Sequence, residues 1–116
     1  MIHEFRRTPR RKTAATILVT DAMTDRSVGR LGNVSESGML LIASEALTDD
    51  ALYQFRFVLP ESDGPGIAIE AGVHLLWMDE ASAPGQVWAG FRFIAVAAPQ
   101  MAQLRAWIDA PGGTFE

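Results

Sequence analysis

Along most of this chain apolar and polar residues alternate with the period of two that belongs to half-buried strands. Ala15, Ile17 and Val19 alternate with Thr16, Leu18 and Thr20, which predicts a first strand within Thr13–Met23, closed by a turn at Thr24-Asp25. Ser27–Val34 sets Val28, Leu31 and Val34 among Gly29, Arg30 and Gly32, the pattern of a strand bent or bulged at its glycines. A polar turn from Asn33 to Gly38 leads into the apolar run Met39–Ala43, and Ser44–Asp50 reads as loop. In Leu52–Leu59, Tyr53, Phe55, Phe57 and Leu59 share one face while Gln54 and Arg56 share the other. A Pro/Gly-rich turn, Pro60–Gly66, precedes a long strand over Ile67–Met78. A loop over Glu80–Gln86 then leads into a last strand, Val87–Val96.

The period changes at the end. Behind Pro99, which fits a first helical turn, Met101, Leu104, Trp107 and Ile108 recur at three- and four-residue spacing, and Pro111-Gly112-Gly113 stops the helix. Six short strands followed by one helix predict an all-β antiparallel barrel or closed sandwich, with the helix over an open end. At 116 residues there is material for one core. The balance of 48% hydrophobic and 21% charged residues is that of a globular domain, not a disordered chain.

Charge changes the picture more than composition does. The net charge is −4, yet five of the ten basic residues fall in Arg6–Lys12, leaving five bases against fourteen acids elsewhere, a net of −9. An acidic body disfavours long nucleic acids, whose affinity rests on phosphate neutralisation, so DNA or RNA partners are not expected. A basic arm on such a body suits a small anion better than a long nucleic acid, and on charge alone it reads equally as a solvated, partly disordered tail. Its residues, 1–12, lack periodicity and contain Pro9, so they read as a flexible extended arm ahead of a folded unit at 13–110.

Catalytic and metal chemistry find little support. There is no cysteine, and His3 and His74 stand in no ligand spacing; His74 reads as a strand-face residue. Asp49-Asp50 and Asp79-Glu80 read as solvated loop acids, and Gly64-Pro65-Gly66 precedes no helix that could cradle phosphate. The expectation is a non-enzyme without metal or cofactor. No apolar run reaches membrane-span length and no secretory leader pattern is present, so the expected setting is the cytoplasm.

What remains is Asn33-x-Ser35-x-x-Gly38, preceded by RxxxR in the arm. This combination resembles the PilZ domain family, bacterial receptors of the second messenger cyclic di-GMP. Trp77, the segment Gly90-Phe91-Arg92-Phe93, the strand spacing and the terminal helix extend the resemblance over about residues 4–109. It implies a six-stranded antiparallel barrel capped by the C-terminal helix, with a role in motility or biofilm regulation. It also implies a ligand site drawn from Arg6, Arg7, Arg10, Arg11, Asn33, Ser35, Gly38 and Trp77. The arginines would clamp phosphates and guanines through planar bidentate donors. Asn33 and Ser35 would bond a guanine edge, and Gly38 would keep the turn open to the ligand.

Two registers satisfy RxxxR. Arg6/Arg10 is preferred because Pro9-Arg10 resembles the family's residue pair before the first strand. With Arg7/Arg11, Arg6 would be the extra arginine that the family associates with a stacked ligand dimer, so stoichiometry stays open. Trp77 reads equally as a core residue or as a ligand-stacking one. The resemblance implies a receptor whose arm orders on binding and alters a surface for an effector protein. The alternatives are a ligand-independent interaction module on the same barrel and, more remotely, a small oligonucleotide-binding barrel.

Overall fold

A computed structural model describes residues 9–13, 15–111 and 115, so Arg6 and Arg7 lie outside the described residues. The elements run β1 (Arg11–Lys12), β2 (Leu18–Asp21), β3 (Arg26–Val34), β4 (Gly38–Ala43), β5 (Leu52–Leu59), β6 (Ile67–Glu80), β7 (Val87–Val96) and α1 (Ala98–Asp109). Every strand pairing is antiparallel. The ring β3-β2-β5-β6-β7-β4 closes on itself through β3–β4, and β1 adds a short extra strand against β3. This is the expected six-stranded barrel, and closure through β3–β4 gives each strand of the ring two neighbours.

The alternation read from the sequence builds the core. Val19, Leu31, Leu41, Phe55, Phe57, Leu59, Ile69, Ala71, Val73, Leu75, Ala89 and Phe91 all point inward and are buried. Phe55 and Phe91 meet edge-on at 5.0 Å between ring centroids, and Tyr53 stacks on Phe55 at 5.4 Å. Two details differ from the sequence reading. Regular pairing of the first strand begins only at Leu18, although Ile17 is buried and accepts a bond from Leu31 N at 2.8 Å. Asp79 and Glu80 are not loop residues: β6 carries them opposite Trp88 and Val87, because the β6–β7 pairing runs two residues beyond Met78 before the loop begins.

A twelve-residue helix is marginal alone in water, so α1 depends on its packing. Leu104, Trp107 and Ile108 are its buried residues, each contributing about 1.5–3 kcal/mol of apolar transfer energy. Trp107 Nε1 also donates to Pro60 O at 3.0 Å, which ties the helix to the β5–β6 turn. Pro99 lies in the first turn, as the sequence predicts.

Candidate functional site

Two bulges decide what the outer wall of the barrel carries. Strict alternation from the inward Leu31 and Leu75 would turn Asn33 and Trp77 into the core. In β3, however, Leu31 pairs with Leu41 while Asn33 pairs with Leu40, leaving Gly32 as an extra residue. In β6, Leu75 pairs with Phe91 while Trp77 pairs with Gly90, leaving Leu76 extra. Each bulge inverts the parity of the strand beyond it. Since Leu40 also pairs with Gly90, the register sets Lys12, Asn33, Leu40, Gly90 and Trp77 in one row across the outer face of five strands.

Trp77 lies at this surface, 47% exposed, with its indole flat against Gly90. A Cβ at Gly90 would stand 2.1 Å from Trp77 Nε1, so no side chain at 90 is compatible with this indole position. The question the sequence left open for Trp77 is thereby answered: it is a surface residue and not part of the core. Together with Arg10, Asn33, Leu40 and Gly90 it lines a pocket of about 300 Å³.

The arm residues split by parity. Arg10 reaches from the edge of β1 across to Asn33, its Nη1 donating to Asn33 Oδ1 at 3.2 Å over a separation of 23 residues. Asn33 itself is only 2% exposed. Arg11 pairs with Val34 and faces the other way, toward the helix. Its guanidinium stacks 4.3 Å above the Trp107 ring and donates to Trp107 O and Ala110 O. The last turn of α1 holds no basic residue, so Arg11 supplies the cation that the negative helix terminus favours. Arg11→Ala is therefore expected to cost about 1–2 kcal/mol of folding stability, from a cation–π contact and charged hydrogen bonds. Denaturant titration would check this; an unchanged unfolding midpoint would rule the anchor out.

The NxSxxG turn is built around Ser35, which is fully buried. Its Oγ accepts from Ser37 N and Gly38 N, both at 3.2 Å, while Ser35 N donates to Gly38 O at 2.8 Å. Gly38 answers a close approach between strands: a Cβ there would lie 2.1 Å from Phe91 O. In this state Ser35 and Gly38 shape the turn, and Asn33 is the motif residue aimed at the pocket. Glu36, at the tip, pairs with Arg105 of α1 at 3.4 Å.

Elsewhere His74 sits on β6, as expected, with Nε2 2.6 Å from Asp50 Oδ1. Among the described residues no group of three or more His, Asp and Glu side chains could hold a metal, and no helix is long and apolar enough to cross a membrane. Sequence reasoning passed over Leu40 and Gly90 as pocket residues. A glycine on the outward-facing side of Val87–Val96 was the available signal for the second.

A family model for the PilZ domain matches residues 4–110. No curated protein matches the chain. Among solved structures, the inhibitor of motility MotI/DgrA of Bacillus subtilis aligns with a TM-score of 0.72 at 14% identity. That alignment covers 93% of this chain and 49% of the other, so this chain spans about half that protein's length. The PilZ domain of Escherichia coli YcgR with c-di-GMP aligns at TM-score 0.67 and 18% identity, covering 89% and 88% of the two chains. YcgR in complex with c-di-GMP aligns at 0.68 and 20%, covering 89% of this chain and 44% of that one. At such identities the likeness is one of fold. The family match over nearly the whole chain carries more: this chain belongs to the PilZ domain family.

Proposed function

We propose that this chain is a receptor for cyclic di-GMP, binding the dinucleotide on the outer barrel wall between the arm and Trp77. The observation that carries the reading is the convergence of Arg10 and Asn33, from the two separate motifs, on a pocket walled by an exposed indole over Gly90. Family membership supports it, as does the presence of c-di-GMP in the YcgR structures.

The chemistry comes from the side chains. The Arg10 fork offers paired donors to phosphate oxygens, a stronger bond than the neutral carbonyl of Asn33 gives it. As Arg10 moves to phosphate, the Asn33 amide is released to a guanine edge while the Trp77 face stacks on a base. Ser35 acts by holding the turn that fixes Asn33. Arg6 and Arg7 lie upstream of Arg10 in the arm at 1–12, whose ordering against the folded unit at 13–110 would present an altered surface to an effector protein. A ligand shifts only the states it binds differently, and the arm is the element that gains contacts. The Arg6/Arg10 register is supported by Arg11 being engaged at α1. The role is binding without turnover.

Calorimetric titration with cyclic di-GMP, with GMP and cyclic di-AMP as controls, tests the reading. Saturable binding selective for cyclic di-GMP is expected. Absence of binding well above micromolar concentrations would overturn it and leave a ligand-independent PilZ interaction module. Trp77→Ala should weaken binding about tenfold or more, since base–aromatic stacking is worth about 1–3 kcal/mol. The variant should keep wild-type stability, because half of the indole is already in solvent.

A further inference from the structure

Two residue pairs further along β4 and β7, past the inward Leu41 and Ala89, a second row crosses the same outer wall. Arg30 pairs with Ile42, Ile42 with Trp88, and Trp88 with Asp79. Lys12, Arg30, Gly32, Leu40, Ile42 and Trp88 line a second pocket there, of about 440 Å³. Leu40 lines both pockets, so the two adjoin across one apolar residue. Residues two apart on a strand are separated by about 7 Å, which puts the two rows within the span of one small molecule.

The second pocket repeats the composition of the first. Trp88, 36% exposed, offers an indole, as Trp77 does in the first row. Arg30 and Lys12 offer cations on the side away from Asp79, as Arg10 does in its row. Gly32, the residue that the β3 bulge leaves unpaired, forms part of the floor. Arg30 takes part in none of the ion pairs found among the described residues, which engage Arg26, Arg56, His74 and Arg105.

We propose that this second pocket is a subsite for the distal half of the dinucleotide, one base against Trp88 and one phosphate facing Arg30 and Lys12. The inference rests on the cyclic di-GMP reading above. A single ligand then straddles Leu40, with each of its two chemically identical halves held by one tryptophan and one cationic group. Asp79, beyond Trp88, repels phosphate and so fixes the phosphate on the Arg30 side.

The test is a titration of cyclic di-GMP into wild type, Arg30→Gln and Trp88→Ala, with unfolding curves for each. Arg30 is exposed and its replacement leaves the barrel unstrained, so it keeps the test valid if Trp88→Ala proves unstable. One molecule per wild-type chain is expected, with each variant binding about tenfold more weakly. Wild-type affinity in Arg30→Gln and in a folded Trp88→Ala would overturn the subsite while leaving the receptor reading intact. Two molecules per wild-type chain, falling to one in Arg30→Gln, would overturn the single-ligand assignment. A wild type that takes up no cyclic di-GMP would remove the receptor reading and the subsite with it.

Discussion

Arg10→Ala is expected to weaken cyclic di-GMP binding by about a hundredfold, with at most about 1 kcal/mol lost from the fold. The size reflects removal of one partner of a charged hydrogen-bonded pair, which costs about 2–5 kcal/mol, where each 1.4 kcal/mol is tenfold. The fold loses less, because Arg10 holds Asn33 through a part-buried bond at the edge of a two-residue strand. Arg10→Lys separates charge from shape. It keeps the cation, loses the planar fork, and should fall between wild type and alanine. Arg11→Ala should show the reverse profile, with stability down and affinity changed less. Calorimetry and denaturant titration on the same three variants check this, and an Arg10→Ala protein binding within about threefold of wild type would refute it.

The second large effect is on stability. Gly38→Ala is expected to cost about 3 kcal/mol or more, visible as a fall in Tm of about 10–20 °C. The obstacle is backbone: the new Cβ would lie 2.1 Å from Phe91 O, and no rotamer change relieves it. Strands β4 and β7 would have to part where Gly38 pairs with Arg92 and where Phe93 N donates to Ser37 O at 2.9 Å. A domain stable by about 5–15 kcal/mol loses a large share of its margin in this way. Gly90→Ala meets a side chain instead, the Trp77 indole, and that can swing away. It should spare the fold and disturb the pocket. Thermal unfolding of the two variants side by side separates the cases, and a Gly38→Ala protein melting with wild type would show that the strands part there at no cost.

Much of this arrangement could be read from the sequence, because a closed barrel imposes its inside and outside on every strand. The alternation in Leu52–Leu59 carries over directly, with Phe55, Phe57 and Leu59 buried and Arg56 and Val58 exposed. The helix face Leu104, Trp107 and Ile108 carries over in the same way. The two bulges do not. A bulge is one residue in an otherwise regular pattern, and its effect is to invert the pattern beyond it, so counting by twos from Leu75 sends Trp77 inward. The glycines flagged a bend in β3, but in β6 the extra residue is Leu76, which carries no turn signal of its own. The division of labour between Arg10 and Arg11 was hidden for another reason. It depends on a helix nearly a hundred residues downstream, and a run of arginines looks alike from either register. The turn behaves similarly: Ser35 and Gly38 stand out in the sequence, while the contacts that explain them in this state are with the turn's own amides and with β7.

The placement of the three tryptophans has a spectroscopic consequence. Trp77 is half exposed on the first pocket, Trp88 is on the second row, and Trp107 is buried beneath Arg11 with its N–H on Pro60 O. An indole's emission colour depends on the polarity and mobility of its surroundings, so the three report separately on the first pocket, the second row and the seating of the helix. With tryptophans replaced by phenylalanine two at a time, the natural chain becomes three optical probes needing no attached dye. The order in which they respond after rapid mixing with cyclic di-GMP would then time any change at the first pocket against any movement of the helix.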